Sequence, residues 1–467
     1  MLRASHCCAL AAATFAFTIH SASAHTVHVG TCKSAQVTYS TVQSAVDAAA
    51  DGDTVSICPG TYAEQIVITK NVSLKNAVDE AAPQIVAPAG GLVANTTMSD
   101  GTATAAQILV SSSTTPHGRF IAPSANVTGL VVDGANNNNT SCSALEMVGI
   151  YYQGAGGIIR RNTVKNQITP GHESCQNGIG ILVENESVGT GSVSINGNSV
   201  SNFDKNGIVL RRAGSVGDIS NNTVTGIGPT SFLAQNGILI RDDASANITA
   251  NNVSGFVYSP DTFGSAGIIL YNLSAGQYQS PSRVQRNVVD NTQFGVILDG
   301  VSGTSGNMVQ VQSNTISNSV WDGIELQSDN GLTPAVNTDY AYVFKNTVSN
   351  TTEYEGIDSC GDNNTITKNT VTNSSNWGIH LDSLCTQANS DPSGFSNTVS
   401  GNTIDTACVG ILSGPAEGQN TISGTHFTNV TKPKVFGQDD YTCGPAHARP
   451  RHDKTKGKSA KRLAVSP

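Results

Sequence analysis

Three ionisable residues occupy the same place in three successive copies of a short repeated phrase. Glu325, Asp358 and His380 each stand two residues after a glycine, namely Gly323, Gly356 and Gly378. In the earlier copies that place holds Val209, Leu239, Ile269 and Ile297, and in the next copy Leu412. Two residues further on, Asp299 and Asp382 flank the same patch. Carboxylates stacked ~5 Å apart repel, so one holds its proton more tightly and can donate it while its neighbour stays ionised. A spacing of ~5 Å is also that of the two carboxyl groups in retaining glycoside hydrolysis. His380, beside Asp358 or Asp382, reads as a general base. The same oxygens suit Ca²⁺, the one cofactor the patch suggests.

Just before the same glycines come Phe294, Trp321, Tyr354 and Trp377, which include both tryptophans of the chain, with Asp322, Glu353 and Glu355 beside them. Flat rings offer apolar faces to sugar C–H surfaces while their polar edges reach water. Glu325, Asp358, His380 and Asp382 are therefore the expected acid, base or metal-ligating residues. Asp299, Trp321, Tyr354, Trp377 and Arg241 are the expected substrate contacts. Arg211, Arg212, Arg241, Asp242 and Asp243 form a second charged group. It reads as a salt-bridged solvated face or as a subsite for an anionic sugar chain. Turn carboxylates commonly do no more than solvate a surface, and a slip of one residue turns a strand side chain to the opposite face.

The elements that position these residues are themselves repeated. Asn, a small polar residue, then Val or Ile recurs at Asn162, Asn198, Asn222, Asn314, Asn346, Asn369 and Asn402. It alternates with Gly followed by Ile or Val at Gly180, Gly207, Gly237, Gly267, Gly295, Gly323, Gly356, Gly378 and Gly410, which lie 27, 30, 30, 28, 28, 33, 22 and 32 residues apart. Such a period marks a stacked repeat. The alternating runs, Ile208-Val209-Leu210 among them, have the period of strands. A single repeat cannot bury its own apolar face, so repeats must stack. The expected fold is all-β: a right-handed parallel β-helix solenoid of roughly ten coils, two or three strands to the coil. Stacked asparagines at the turns would form amide ladders.

Solenoids grow by adding coils, so 467 residues need not mean several globular domains. The formal net charge is −9. The tail from Gly444 carries seven Lys or Arg against one Asp, leaving an acidic body that argues against nucleic acid as a partner. Residues 1–24 read as a secretory signal, with Arg3, an apolar run from Ala9 to Phe17 and Ala22-Ser23-Ala24 before the cut. No segment is long and apolar enough to span a bilayer. Eight cysteines remain beyond the signal, an even number that in an exported chain implies disulfides. Eight allow 105 pairings, of which the simplest joins sequence neighbours.

Residues 25–74 hold a helical run in which Val42, Ala45, Val46 and Ala49 share a face and Ser40 or Thr41 is the cap. Asp51-Gly52-Asp53-Thr54, Pro59-Gly60-Thr61-Tyr62 and Ile66-Val67-Ile68 follow. This stretch resembles the opening of many bacterial parallel β-helix repeat proteins of the pectin-lyase-like fold, and the start of pectinesterases. The resemblance implies a helix that plugs the first coil. It does not extend to catalytic motifs. Asn337-Thr338-Asp339 matches one short polygalacturonase motif, but the others of that family, and those of pectinesterases and pectate lyases, are not found. The β-helix is expected over 75–443 and a basic disordered tail over 444–467. The residues point to a secreted, periplasmic or extracellular protein that binds and processes an acidic or plant-type polysaccharide, as hydrolase, lyase or epimerase. The alternative is a non-catalytic adhesive or structural β-helix.

Overall fold

The computed structural model describes residues 24–33, 37–77, 81–114, 117–142, 145–171, 174–186, 191–260, 263–328, 336–384 and 392–443. The signal expected at 1–24 and the tail expected at 444–467 fall outside these residues, apart from Ala24. Over the described residues the chain is a right-handed parallel β-helix with three strands to the coil. One row of strands precedes the ladder asparagines (Ser192–Asn196, Val216–Ser220, Ser245–Thr249 and onward). A second row follows them (Ser199–Phe203, Thr223–Thr225, Asn252–Phe256). A third contains the repeat glycines (Gly178–Glu184, Asn206–Arg211, Asn236–Arg241). Each strand pairs in parallel with its counterpart one coil on.

The rows meet in a core of aligned aliphatics. Ile181, Ile208, Ile238, Ile268, Val296, Ile324, Ile357, Ile379 and Ile411, each following a repeat glycine, are all buried. So are Val164, Val200, Val224, Val253, Val289, Ile316, Val348, Val371 and Ile404. Each such side chain stabilises by about 1.5–3 kcal/mol. The repeat glycines are needed where these two stacks touch. A Cβ on Gly207 would strike the Val224 methyl and the Gly237 carbonyl, and one on Gly323 would strike Val348 and the Gly356 carbonyl.

The expected asparagine ladder runs unbroken through Asn162, Asn198, Asn222, Asn251, Asn287, Asn314, Asn346, Asn369 and Asn402. At each step the side-chain oxygen of one asparagine accepts from the backbone and side-chain N–H of the previous one, at 2.8–3.1 Å. The amide N–H also closes onto the carbonyl of a neighbouring coil, as Asn198 does onto Ile159. Asn251 and Asn287 escape the sequence phrase because Asn252 and Val288 follow them rather than a small polar residue. The residue before a ladder asparagine adopts a left-handed conformation at Arg161, Asn221, Ala250, Arg286, Ser313, Lys345 and Lys368. This turns the corner and aims the amide inward.

The N-terminal end is closed by the helix Val42–Ala48, whose Val42, Ala45 and Val46 are buried. Thr41 caps it by accepting from the Ser44 N–H. The Glu64 carboxylate accepts from the Val42 and Gln43 N–H groups, where the helix dipole favours an anion. At the far end the last strand, His426–Phe436, carries Lys432, Pro433 and Lys434. Charge and proline of that kind deter pairing with another strand. Disulfides join Cys32–Cys58, Cys142–Cys175 and Cys408–Cys443, as neighbour pairing expects. Cys360 is also disulfide-bonded, while Cys385, its sequence neighbour, lies outside the described residues. Bonds of this kind belong to an oxidising compartment. Among the described residues no helix is long and apolar enough to cross a membrane.

Candidate functional site

The glycine row has an outward face, and one column on it runs Leu109, Tyr151, Leu182, Val209, Leu239, Ile269, Ile297, Glu325, Asp358, His380, Leu412 and Val435. Every consecutive pair in that list is in register. The outward face is itself covered: Leu109, Tyr151, Leu182, Val209, Leu239, Ile269 and Ile297 form a second apolar cluster, separate from the interior. Three ionisable groups therefore replace apolar ones on three adjacent rungs of a buried column. Glu325 is 2%, Asp358 1% and His380 0% exposed. They are neither turn carboxylates nor a solvated surface.

His380 is the hub. Its Nδ1 lies 3.2 Å from Asp358 Oδ1 and 3.9 Å from Glu355 Oε1, and its Nε2 lies 3.6 Å from Asp439 Oδ1. Trp377 covers it edge-on at 4.7 Å between ring centres. Burial works against a charged imidazole, but Asp358, Asp439 and Asp382 outweigh it and push the His380 pKa up to about 10. Asp439, despite burial, is held below the usual carboxylate range by the neighbouring His380 and by hydrogen bonds from Ser383. The surrounding carboxylates thus favour the imidazolium form of His380 at neutral pH. A ring protonated on both nitrogens cannot accept a proton, so these surroundings favour a cationic role for His380 over that of a general base.

The linkage has a definite sign. An unfolded histidine titrates near 6.5 and the folded one near 10. The stabilisation from His380 is complete below pH 6.5 and is lost as pH rises through the folded value, by about 1.4 kcal/mol per unit within that window. Melting temperature is expected to fall between pH 7 and 10. His380→Gln is expected to flatten that slope in thermal melts across the range.

Asp382 follows the same strand, Trp377–Leu381. Its Oδ1 accepts from the Leu384 N–H at 2.7 Å and its carbonyl accepts from Ser393 Oγ at 2.7 Å, while the carboxylate stays within 4.8 Å of the ligand atoms of His380 and Asp439. The aromatic residues also come together, but against one another. Phe294 meets Trp321 at 4.9 Å and Trp321 meets Tyr354 at 6.1 Å, both edge-to-face. Trp321, Tyr354 and Trp377 are only 2%, 8% and 6% exposed, so they roof the apolar layer rather than present open platforms. Asp299 is in register with Gln327 and with Tyr271, and Tyr271 with Arg241. Arg241 therefore lies three rungs, ~14 Å, from the level of Glu325. It pairs with Asp242 at 2.9 Å and stacks over Tyr271.

The other charged residues settle elsewhere. Arg211 is buried between Glu184 at 3.2 Å and Asp100 at 2.7 Å, whereas Arg212, Arg241, Asp242 and Asp243 are half-buried, so the group is salt-bridged but only Arg211 is internal. Asn337-Thr338-Asp339 shapes a corner: the Thr338 hydroxyl accepts from the Val301 N–H and Asp339 accepts from the Asp362 N–H.

Calcium takes six to eight oxygen ligands. Three groupings of donors lie within 4.8 Å among the described residues: Glu325–Asp358–Cys360, Glu355–Asp358–His380 and His380–Asp382–Asp439. Cys360 is locked in a disulfide, and the other two groupings each include a histidine nitrogen. Each set brings two carboxylates to one point, fewer side-chain oxygens than calcium takes.

Sequence reasoning missed Glu355 as a partner of His380, although it lay beside the tyrosine that was noted. It missed Asp439 altogether, because Asp439 follows the last repeat and has no place in the coil register. The one signal available was its position four residues before Cys443.

No family model matches this chain, and no curated protein matches it in sequence. Among solved structures it is similar to the A-module of the Azotobacter vinelandii mannuronan C-5 epimerase, with 14% identity over 86% of this chain and 95% of that one at a TM-score of 0.47. The catalytic domain of a family-87 α-1,3-glucanase in complex with nigerose overlaps at 12% identity, 90% and 67% coverage and TM-score 0.45. A periplasmic alginate epimerase overlaps at 13%, 82% and 77%, and 0.40. The likeness is one of fold, and no residue role passes across it.

Proposed function

We propose that this β-helix binds an acidic polysaccharide and processes it by acid–base chemistry on Glu325 and Asp358. One observation carries the reading. A column that is apolar for seven rungs and apolar again at Leu412 holds Glu325, Asp358 and His380 between them. The solenoid does not need charge there, and burying it costs stability. Asp358, 3.2 Å from a nitrogen of His380, whose surroundings favour the cation, serves as base or nucleophile. Glu325, one rung further from that cation, is placed to hand over a proton. His380 supplies a positive charge that favours an anionic sugar or a developing carboxylate charge. Hydrolysis, β-elimination and uronate epimerisation all use these parts.

The test is a panel of acidic and neutral polysaccharides assayed for new reducing ends, unsaturated uronate absorbance and C-5 inversion. Conversion of an acidic member is expected. A panel with neither conversion nor binding would end the polysaccharide reading. The near-complete burial of the cluster favours a second reading, in which the helix holds a glycan without altering it. Binding with no conversion would select that reading.

A further inference from the structure

The His380 end of the cluster is covered from outside by the chain's own C-terminal segment. After the last strand, Gly437 turns at φ 76° and residues 438–443 run back over His380. The segment is held by the Cys408–Cys443 disulfide, by the Trp377 indole N–H, which donates to the Tyr441 carbonyl at 3.3 Å, and by the Gln438 N–H, which donates to the Ser413 carbonyl. An end cap needs only apolar cover. This one also delivers a carboxylate. Asp439 Oδ1 accepts from the Ser383 N–H at 2.7 Å, Oδ2 accepts from the Ser383 hydroxyl at 2.6 Å, and His380 Nε2 lies 3.6 Å from Oδ1.

Gly414 completes the recess. A Cβ there would run into the Asp439 carboxylate and the Ser383 hydroxyl. Gly414 is not in a left-handed conformation, so room, not backbone shape, calls for glycine. A backbone N–H, a hydroxyl, a buried imidazole and a space cleared of side chain make a built site for one carboxylate, and it borders Asp358 on the next rung.

We propose that the 438–443 segment is a tethered plug, and that the recess filled by Asp439 is the subsite for the carboxylate of an acidic sugar unit. The inference rests on the proposed polysaccharide reading for the identity of the ligand, not for the existence of the recess. Wild type would then be held closed by an internal mimic of its substrate, and displacing Asp439 is the step that admits the chain.

The experiment compares wild type with Asp439→Ala by calorimetry, using uronate oligosaccharides and neutral ones of equal length. Acetate and galacturonate are titrated in parallel by thermal shift. Asp439→Ala is expected to bind uronate oligosaccharides at least about tenfold more tightly, with neutral ones unchanged. Acetate and galacturonate are expected to raise its melting temperature but not that of wild type. Should Asp439→Ala fail to fold, Asp439→Asn and the Cys408→Ala, Cys443→Ala pair keep the test open, with the same order expected. Equal affinity for uronates in variant and wild type, or an equal gain for neutral sugars, would overturn the plug. No response to acetate or galacturonate would overturn the recess. A response to these small carboxylates without oligosaccharide binding would uphold the recess and remove the polysaccharide reading.

Discussion

Glu325→Gln is expected to lower turnover of the acidic polysaccharide by about 10²–10⁴-fold, the usual worth of a general acid or base, with substrate affinity changed little. The replacement keeps size and removes only the transferable proton. Glu325→Leu sharpens the test. The rung before holds Ile297 in register, Glu325 is 2% exposed, and an apolar side chain there removes the cost of burying a polar group. Leucine should therefore melt no lower than wild type yet be as inactive as glutamine. A structural role predicts the opposite pattern, a lower melting temperature with activity retained in whatever remains folded. Initial rates and thermal melts on the two variants decide between them. Asp358→Asn is less clean, because it also strips His380 of its partner at 3.2 Å, and breaking a buried pair costs about 3–5 kcal/mol.

Asn287→Ala is expected to be the most damaging single change to the fold, lowering stability by about 3 kcal/mol or more in denaturant melts. The Asn287 amide donates to the Ile248 carbonyl and to Asn314, and its oxygen accepts from the Asn251 backbone and side-chain N–H groups. Alanine strands the Ile248 carbonyl and both Asn251 donors inside the helix, and each buried orphan costs about 1–3 kcal/mol. Coils touch only their neighbours, so the loss falls at one level of the stack. Hydrogen exchange should therefore quicken first in the strands on either side of Asn287. A uniform rise along the whole chain would contradict the ladder account.

How much of this was legible in advance differs by element. The coil and the amide ladder follow from local spacing, since each is repeated, whereas spacing left the helix cap at Ser40 or Thr41 and made neighbour pairing only the simplest of 105 cysteine arrangements. The alignment of Glu325, Asp358 and His380 was legible for the same reason: counting from the repeat glycine measures height along the solenoid. What counting cannot measure is what covers a face. Trp321 and Tyr354 read as open platforms, and the structure turns them into one another. His380 reads as a base, and its surroundings make it a cation.

The sequence by itself determined the coil and the height of every side chain on it, because parallel stacking converts a position in the repeat directly into a position in space. Only the tertiary structure decided that the acidic column is buried and that Asp439 faces His380. The charge on His380 was likewise settled only by those surroundings. The cover over His380 comes from residues 438–443, which carry no repeat register and reach the site by folding back. The energy of a buried charge is set by whichever groups surround it, however distant in the chain.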